Sequence, residues 1–469
     1  MTETSAERLS PLDSMFLYGE TPSTMMHVAV LLPFTPPRNA GRDYLRDIVD
    51  EVRRNAVVES PWNRKLRYPQ LLASPLQSWV VDKNIDLDYH LRRSALASPG
   101  DERELGVLVS RLHSHPLDLT RPPWEMHLIE GLEGGRFAIY IKVHHSLVDG
   151  YTAMRLIMGG LSTDAQDRTT SLFFSNPAPT PSRPVQPGGA VADALRLVKS
   201  VGGGAGSTFA LGRALFNLQF GRRGELAHLV SSVQAPATML NVRIGRNRRF
   251  ATQRYQLSVL KKLGARTGGT VNDVALSIIG GGLRTFLSEL DELPRQPLVA
   301  FVPVNIRPKD DPGGGNSVGA VLVTLGTDTE DPVERLTNVS ASTRAAKAQL
   351  EGMSQKAILG YSALLLAPSA LQALLATAGL RSPLPLTFNL CVSNVPGPAH
   401  PLFFRGSRLE ANYPVSIPMH GAALNVTLQS YADTVNFGFI GDRDAVPHLQ
   451  RLAVYTGQAF ESLAAAVEP

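Results

Sequence analysis

Hydrophobic and polar residues alternate along RFAIYIKVHHSLVDG, residues 136–150, until the alternation meets two adjacent histidines. Phe137, Ile139, Ile141 and Val143 share one parity with His145, whereas Ala138, Tyr140, Lys142 and His144 share the other. A period of two predicts a strand, and it sends the two imidazoles to opposite faces, with His145 on the apolar one. The preceding run WEMHLIEGL, joined through Glu133-Gly134-Gly135, predicts the other strand of a hairpin. The following GYTAMRLIMGGL has helical spacing, which makes Asp149 a candidate N-cap.

The same reading extends along the chain. MHVAVLLPF predicts a strand after a turn-rich stretch from residue 9, and residues 42–55 and 101–112 predict amphipathic helices. Five prolines between 176 and 189 disfavour both helix interior and central strand and predict a linker, followed by connecting helices at 191–200 and 207–230. From Val271 the apolar residues fall at helical spacing, which puts Asn272 and Asp273 in a first turn, where free N–H groups favour negative charge. Gly280, Gly281 and Gly282 inside that helix predict a close backbone approach. Strands at 298–308, 316–326 and 385–398 follow, with a helix at 332–350 started by Asp331 and Pro332, then two further strands and a closing helix from about 446. Strands and helices alternate in both halves, so the expected class is α/β or α+β with mixed sheets. The expected domains are 1–175 and 235–469, with 176–234 between them. The uncharged run 357–380 is long enough to span a bilayer. Pro368 near its middle predicts instead a kinked helix or helical hairpin that is buried or touches a membrane surface.

Composition changes this picture little. Lys plus Arg of 46 against Asp plus Glu of 41 gives a net charge of +5, scattered and without a nucleic-acid motif, so no nucleic-acid partner is expected. The single cysteine, Cys391, excludes an intramolecular disulfide, and its apolar neighbours predict a buried, inert thiol. The first residues lack a basic stretch followed by an apolar one, which predicts a cytoplasmic protein.

The candidate chemistry centres on the histidines. An imidazole held among apolar groups stays neutral near pH 7 and can accept a proton, as a general base must. From the residues alone, a satisfied core histidine and an N-capping aspartate account for His145 and Asp149 without catalysis. Adjacent strand residues point apart, so a shared metal ion on His144, His145 and Asp149 is not expected. Arg64 and Arg67 of PWNRKLRY are candidate partners for Asp149, and Trp124 is expected to anchor its strand.

The pattern HHxxxDG, complete at His144, His145, Asp149 and Gly150, resembles the signature of the chloramphenicol acetyltransferase-like superfamily of CoA- and carrier-dependent acyltransferases. The ordered set PLDSMFL, RPPWE, HHSLVDG, APATMLNVRIGRNRRFA, TVNDVALSIIGGGLR, SNVPGP and NYPVSIPMHGAALNVTLQSYADTVNFGFIGDRD narrows this. It resembles the bacterial wax ester synthase/acyl-CoA:diacylglycerol acyltransferase family over residues 9–460. One departure is Pro122-Pro123-Trp124, where that family commonly has Pro-Leu-Trp.

The resemblance implies two acyltransferase-like domains with the active site at their interface. It implies transfer of a long-chain acyl group from acyl-CoA, a co-substrate and not a bound cofactor, to diacylglycerol or a long-chain alcohol. His145 would be the base, Asp149 would hold the loop through an arginine, Gly150 would let the backbone pass closely, and His144 would give support. Asn272 or the helix start at Asp273 would stabilise the oxyanion, with Ser393 and Asn394 as second candidates. A peripheral site on the membrane or on lipid droplets is expected. The alternatives are an acyltransferase using another thioester donor or acceptor, such as a carrier-loaded acyl group and a polyketide or sugar alcohol, and a non-catalytic lipid-binding homologue.

Overall fold

A computed structural model describes residues 7–74, 76–176, 228–305, 318–380 and 384–467. The predicted linker beyond residue 176 and the connecting helices as far as 227 lie outside these residues, as do the inner ends of the strands predicted at 298–308 and 316–326.

The first part of the chain forms β1 (Glu7–Arg8), α1 (Pro11–Gly19), β2 (His27–Thr35), α2 (Tyr44–Asn55), β3 (Arg64–Leu66) and β4 (Ser78–Val81). It continues with α3 (Leu87–His90), β5 (Leu91–Ala95), α4 (Glu102–His113), β6 (Trp124–Glu130), β7 (Phe137–His144) and α5 (Gly150–Gly159). Next come β8 (Arg248–Gln256), α6 (Leu257–Thr267), α7 (Val271–Glu289), β9 (Val299–Asn305), β10 (Val318–Thr324), α8 (Pro332–Leu350) and α9 (Gln355–Thr377). The chain closes with β11 (Leu390–Val395), β12 (Phe403–Phe404), β13 (Ser407–Leu409), β14 (Tyr413–Val415), β15 (Leu424–Tyr431), β16 (Thr434–Asp442) and α10 (Leu449–Val467). Backbone contacts divide the chain into two units. Unit 1 comprises Met1–Pro187, Val395–Ile417 and Gln429–Asn436; unit 2 comprises Gly188–Asn394, Pro418–Leu428 and Phe437–Pro469.

In unit 1 a sheet of order β12-β13-β2-β7-β6-β5, with β14 also on β2, carries the histidine strand in its interior. The predicted hairpin is present, β6 running antiparallel to β7, and β2 flanks β7 on the other side in the register His27 to His144 and Phe34 to Phe137. Cross-strand partners share a face. Val30, Leu32 and Phe34 of β2, Ile141, Ile139 and Phe137 of β7, and Met126 and Leu128 of β6 therefore meet in one core with Trp62 and Trp124. Each such side chain contributes roughly 1.5–3 kcal/mol by leaving water. Trp124 is the anchor expected of it: its Nε1 donates to Trp62 O at 2.7 Å, and its ring stacks on His90.

Two expectations for this region fail. The stretch read as turn-rich contains helix α1, in which Pro11 lies in the first turn and the Ser10 hydroxyl accepts from Asp13 N. The strand also ends at His144, so His145 opens a turn and strand parity does not set its direction.

In unit 2 the sheet order is β10-β9-β11-β15-β16-β8, with β10 antiparallel and β11 parallel to β9. Helix α7 begins with a capping box. Thr270 accepts from Asp273 N, and Asp273 Oδ2 accepts from Thr270 N at 2.8 Å. The three helical glycines have the predicted cause: a Cβ on Gly280 would sit 1.9 Å from Leu325 O, and one on Gly282 2.8 Å from Thr456 N. Cys391 is buried, and burial raises its thiol pKa to about 12. The run 357–380 does not form a hairpin: α9 is one helix with Pro368 inside it. Ala357, Tyr361 and Leu365 are buried, whereas Leu364, Leu371 and Leu374 are exposed.

Candidate active site

The HHxxxDG loop is held by hydrogen bonds. His145 N donates to Met26 O at 2.8 Å, and His144 N to Pro123 O at 2.9 Å, so neighbouring chain segments fix the loop backbone. Asp149 caps α5, its carboxylate accepting from Thr152 N at 2.9 Å and from Thr152 Oγ1 at 2.7 Å. Among the described residues Asp149 has no arginine partner. Arg64 pairs with Glu7 at 2.8 Å, and the Arg67 guanidinium lies over the Tyr68 ring. A carboxylate three residues before an N–H at a helix start is already in reach of it, and the Asp149 cap is such a bond. Among the described residues nothing lies within 4 Å of where a Cβ on Gly150 would sit, so they do not crowd the backbone there as expected.

His144 and His145 differ in their ring contacts. His144 Nδ1 receives the N–H of Ser146 at 3.1 Å, and a backbone N–H can only donate. The proton of neutral His144 is therefore on Nε2, which faces Glu20 Oε2 at 3.3 Å. Both nitrogens are engaged, and the residue is buried.

His145 Nδ1 is enclosed, yet no group meets hydrogen-bond geometry with it among the described residues. The ring as a whole keeps partial exposure and stacks on Phe16 of α1, centroids 3.9 Å apart and planes 21° apart. Burial lowers its pKa to about 4, outweighing the Asp149 carboxylate and the residue's own backbone carbonyl, which both favour the charged form. With Nδ1 enclosed and the ring partly exposed, Nε2 is the nitrogen left for an acceptor to reach.

Helix α1, from the block PLDSMFL, thus meets the loop at three points: Phe16 on His145, Asp13 beside Asp149, and, just past its end, Glu20 on His144. Burial raises the Asp13 pKa, and the Asp149 carboxylate adds to that, against a hydrogen bond from Ser10. Glu20 Oε2 also accepts from Met26 N at 2.5 Å. These residues were not singled out from the sequence. The available signal was the helix start Ser10-Pro11 with Asp13 three residues on.

A cavity of about 500 Å³ runs along α5, lined by Tyr151, Met154, Arg155, Met158 and Leu402, with Gly397 of SNVPGP on its far wall. A Cβ on Gly397 would lie 2.0 Å from Ser430 O, so only glycine fits there.

The remaining candidates belong to unit 2. Asn272 in the first turn of α7 is half-buried and has no hydrogen-bond partner among the described residues. Asp273 is committed to the capping box by Oδ2, while its buried Oδ1 has no partner. Ser393 is half-buried and Asn394 exposed on β11. Among the described residues no cluster of three His, Cys, Asp or Glu could hold a metal ion.

Comparison with known proteins adds the family. Residues 9–275 match the wax ester synthase/diacylglycerol acyltransferase catalytic domain, and residues 314–464 match the C-terminal domain of the same family. A putative diacylglycerol O-acyltransferase of Mycobacterium tuberculosis is 59% identical over 98% of both chains. The solved wax ester synthase/diacylglycerol acyltransferase of Marinobacter aquaeolei VT8 is 36% identical, covers 98% of this chain and 100% of its own, and superposes with a TM-score of 0.77. The first condensation domain of the calcium-dependent antibiotic synthetase, at 15% identity, shares the fold across 100% of this chain and 98% of its own, with a TM-score of 0.58. The chain therefore belongs to the wax ester synthase/diacylglycerol acyltransferase family.

Proposed function

We propose that this protein is an acyl-CoA-dependent O-acyltransferase that moves a long-chain acyl group to diacylglycerol or a long-chain alcohol, with His145 as general base. One observation carries the role of His145: within the family's HHxxxDG loop it is the imidazole that burial holds neutral, with Nδ1 enclosed and a partly exposed ring that leaves Nε2 within reach of an acceptor.

The reaction needs no covalent enzyme intermediate. The acceptor oxygen attacks the thioester carbonyl while its proton passes to His145 Nε2. The tetrahedral oxyanion then collapses, the C–S bond breaks, and the leaving thiolate takes the proton back from the imidazolium as CoA thiol. Base catalysis of this kind contributes roughly 100- to 10,000-fold in rate. Asn272, with its side-chain amide unpartnered at a helix start, is the first candidate donor to the oxyanion, with Ser393 and Asn394 after it. Asp149 holds the loop by capping α5, and His144 supports it through Glu20.

The cavity along α5 suits an apolar chain, with Met154, Met158 and Leu402 as walls and the exposed Arg155 at its rim. A membrane or lipid-droplet surface is the proposed workplace. Helix α9 is long and apolar enough to cross a bilayer, yet only 22% of its most apolar window is buried, and Leu371 and Leu374 face solvent.

Radiolabelled palmitoyl-CoA supplied to the purified protein with dioleoylglycerol or hexadecanol tests the reading. Labelled triacylglycerol or wax ester supports it. Transfer to neither acceptor, with label moving only from a carrier-bound thioester, contradicts it.

A further inference from the structure

The proposed base stacks against an aromatic ring from a helix that lies well over a hundred residues earlier in the chain. Phe16 stacks on His145 at 3.9 Å with the planes 21° apart, while the neighbouring side chains Met15 and Tyr18 of the same helix point to solvent, 52% and 53% exposed. Helix α1 therefore turns Phe16 inward onto the imidazole. The helix is pinned at both ends: the Ser10 hydroxyl accepts from Asp13 N, and Glu20, just past its last turn, receives Met26 N and faces His144 Nε2. Met26 in turn accepts the backbone N–H of His145.

We propose that Phe16 is a positioning residue for acyl transfer, fixing the plane of the His145 ring and presenting a π face to the imidazolium that forms when His145 takes the acceptor's proton. This rests on His145 being the base. An apolar ring over one face of an imidazole keeps water away and favours the neutral ground state. The negative face of the same ring attracts a cation, so the attraction appears only as His145 becomes charged. An interaction that strengthens on the way to the transition state raises kcat and leaves KM nearly unchanged. Other charged and titratable groups around the ring are Asp149 and His144 of its own loop, with Asp13 of α1 next to Asp149. None of them is stacked on the ring as Phe16 is.

The test uses the full-length protein with Phe16→Leu, Phe16→Tyr, Phe16→Ala, His145→Ala and, as a control on the exposed side of the helix, Met15→Ala. Phe16→Leu keeps an apolar cover without the π face. Its kcat is expected to fall about 2- to 30-fold, the range that loss of a cation–π contact corresponds to, with KM within about 2-fold. Phe16→Tyr is expected to restore most of kcat, and Met15→Ala to match the parent. NMR titration of the histidine imidazoles, with His145 assigned by its absence in His145→Ala, reads the same interaction without turnover. The His145 pKa is expected to drop further in Phe16→Leu and to climb toward about 6.5, the ordinary histidine value, in Phe16→Ala, where water enters. Parental kcat in Phe16→Leu together with an inactive His145→Ala would overturn the role of Phe16 and leave the base in place. Parental activity in His145→Ala would overturn the base itself. An unmoved His145 resonance in both Phe16→Leu and Phe16→Ala would overturn the stacking account whatever the rates.

Discussion

On one face of the seven-stranded sheet the buried polar groups are paired with each other, whereas one residue beyond the strand His145 is left with an enclosed and unpartnered Nδ1. Lys142 Nζ lies 3.2 Å from Glu125 Oε2 and donates to Leu112 O and His115 O, closing the C-terminal end of α4. Tyr140 OH meets His113 Nδ1 at 2.8 Å, His27 Nε2 meets His113 O at 3.1 Å, and both nitrogens of His144 are engaged. Burial alone would raise the Glu125 pKa, but His127, Lys142 and Arg92 hold it at about 2. A polar group whose bonds are all made inside the fold is committed to structure; a ring without such bonds and with part of its surface exposed offers its outer nitrogen, Nε2 of His145, to a substrate. The contrast separates two adjacent histidines that look alike in the sequence.

Breaking the paired side has the largest expected effect on stability. Lys142→Met removes the cation at 3.2 Å from the buried Glu125 carboxylate and leaves Arg92 and His127 beside it, so the loss is expected to approach but not exceed the roughly 3–5 kcal/mol that truncating one partner of a buried ion pair costs. Chemical denaturation should show that loss, and Lys142→Met with Glu125→Gln should recover part of it. An unchanged Lys142→Met variant would contradict the pairing. Activity per folded molecule should stay near the parent's in both.

Acid should act next. Burial lowers the pKa of His27, His90, His127 and His420, and of His145 to about 4. Between that value and the ordinary value of about 6.5 the unfolded chain binds more protons than the folded one, so stability rises with pH across this window and is lost as pH falls through it. Thermal melts from pH 7 to pH 4.5 should show a falling Tm. A flat profile would mean these imidazoles titrate normally in the folded state.

The smallest expected effect is at the loop's aspartate. Asp149→Ala removes an N-cap and should cost about 1 kcal/mol, with Asp149→Asn close to the parent because asparagine caps as well. Were Asp149 instead paired with a distant arginine, Asn would be as damaging as Ala.

Much of the frame was legible in the residues. The β6–β7 hairpin, helix α8 with its Asp331-Pro332 start, and the crowding at Gly280–282 all follow from local pattern. What escaped was α1. Nine residues are too few for a clear period, and the capping signal at Ser10, Pro11 and Asp13 sits in a stretch otherwise rich in turn formers. The partners of the loop escaped for another reason. Glu20 reaches His144 across 124 residues, and Phe16 reaches His145 over a similar separation, and no periodicity encodes such pairs. The Asp149 partner, three residues away, was the local choice, and neither of the candidate arginines, Arg64 and Arg67, pairs with it.

The central claim, that His145 takes the acceptor's proton, is tested most directly by single-turnover transfer from labelled acyl-CoA in the parent and in His145→Ala, with circular dichroism confirming the fold of each. The expected result is a rate lower by about 100- to 10,000-fold in His145→Ala. Transfer at the parental rate in a folded His145→Ala would contradict it.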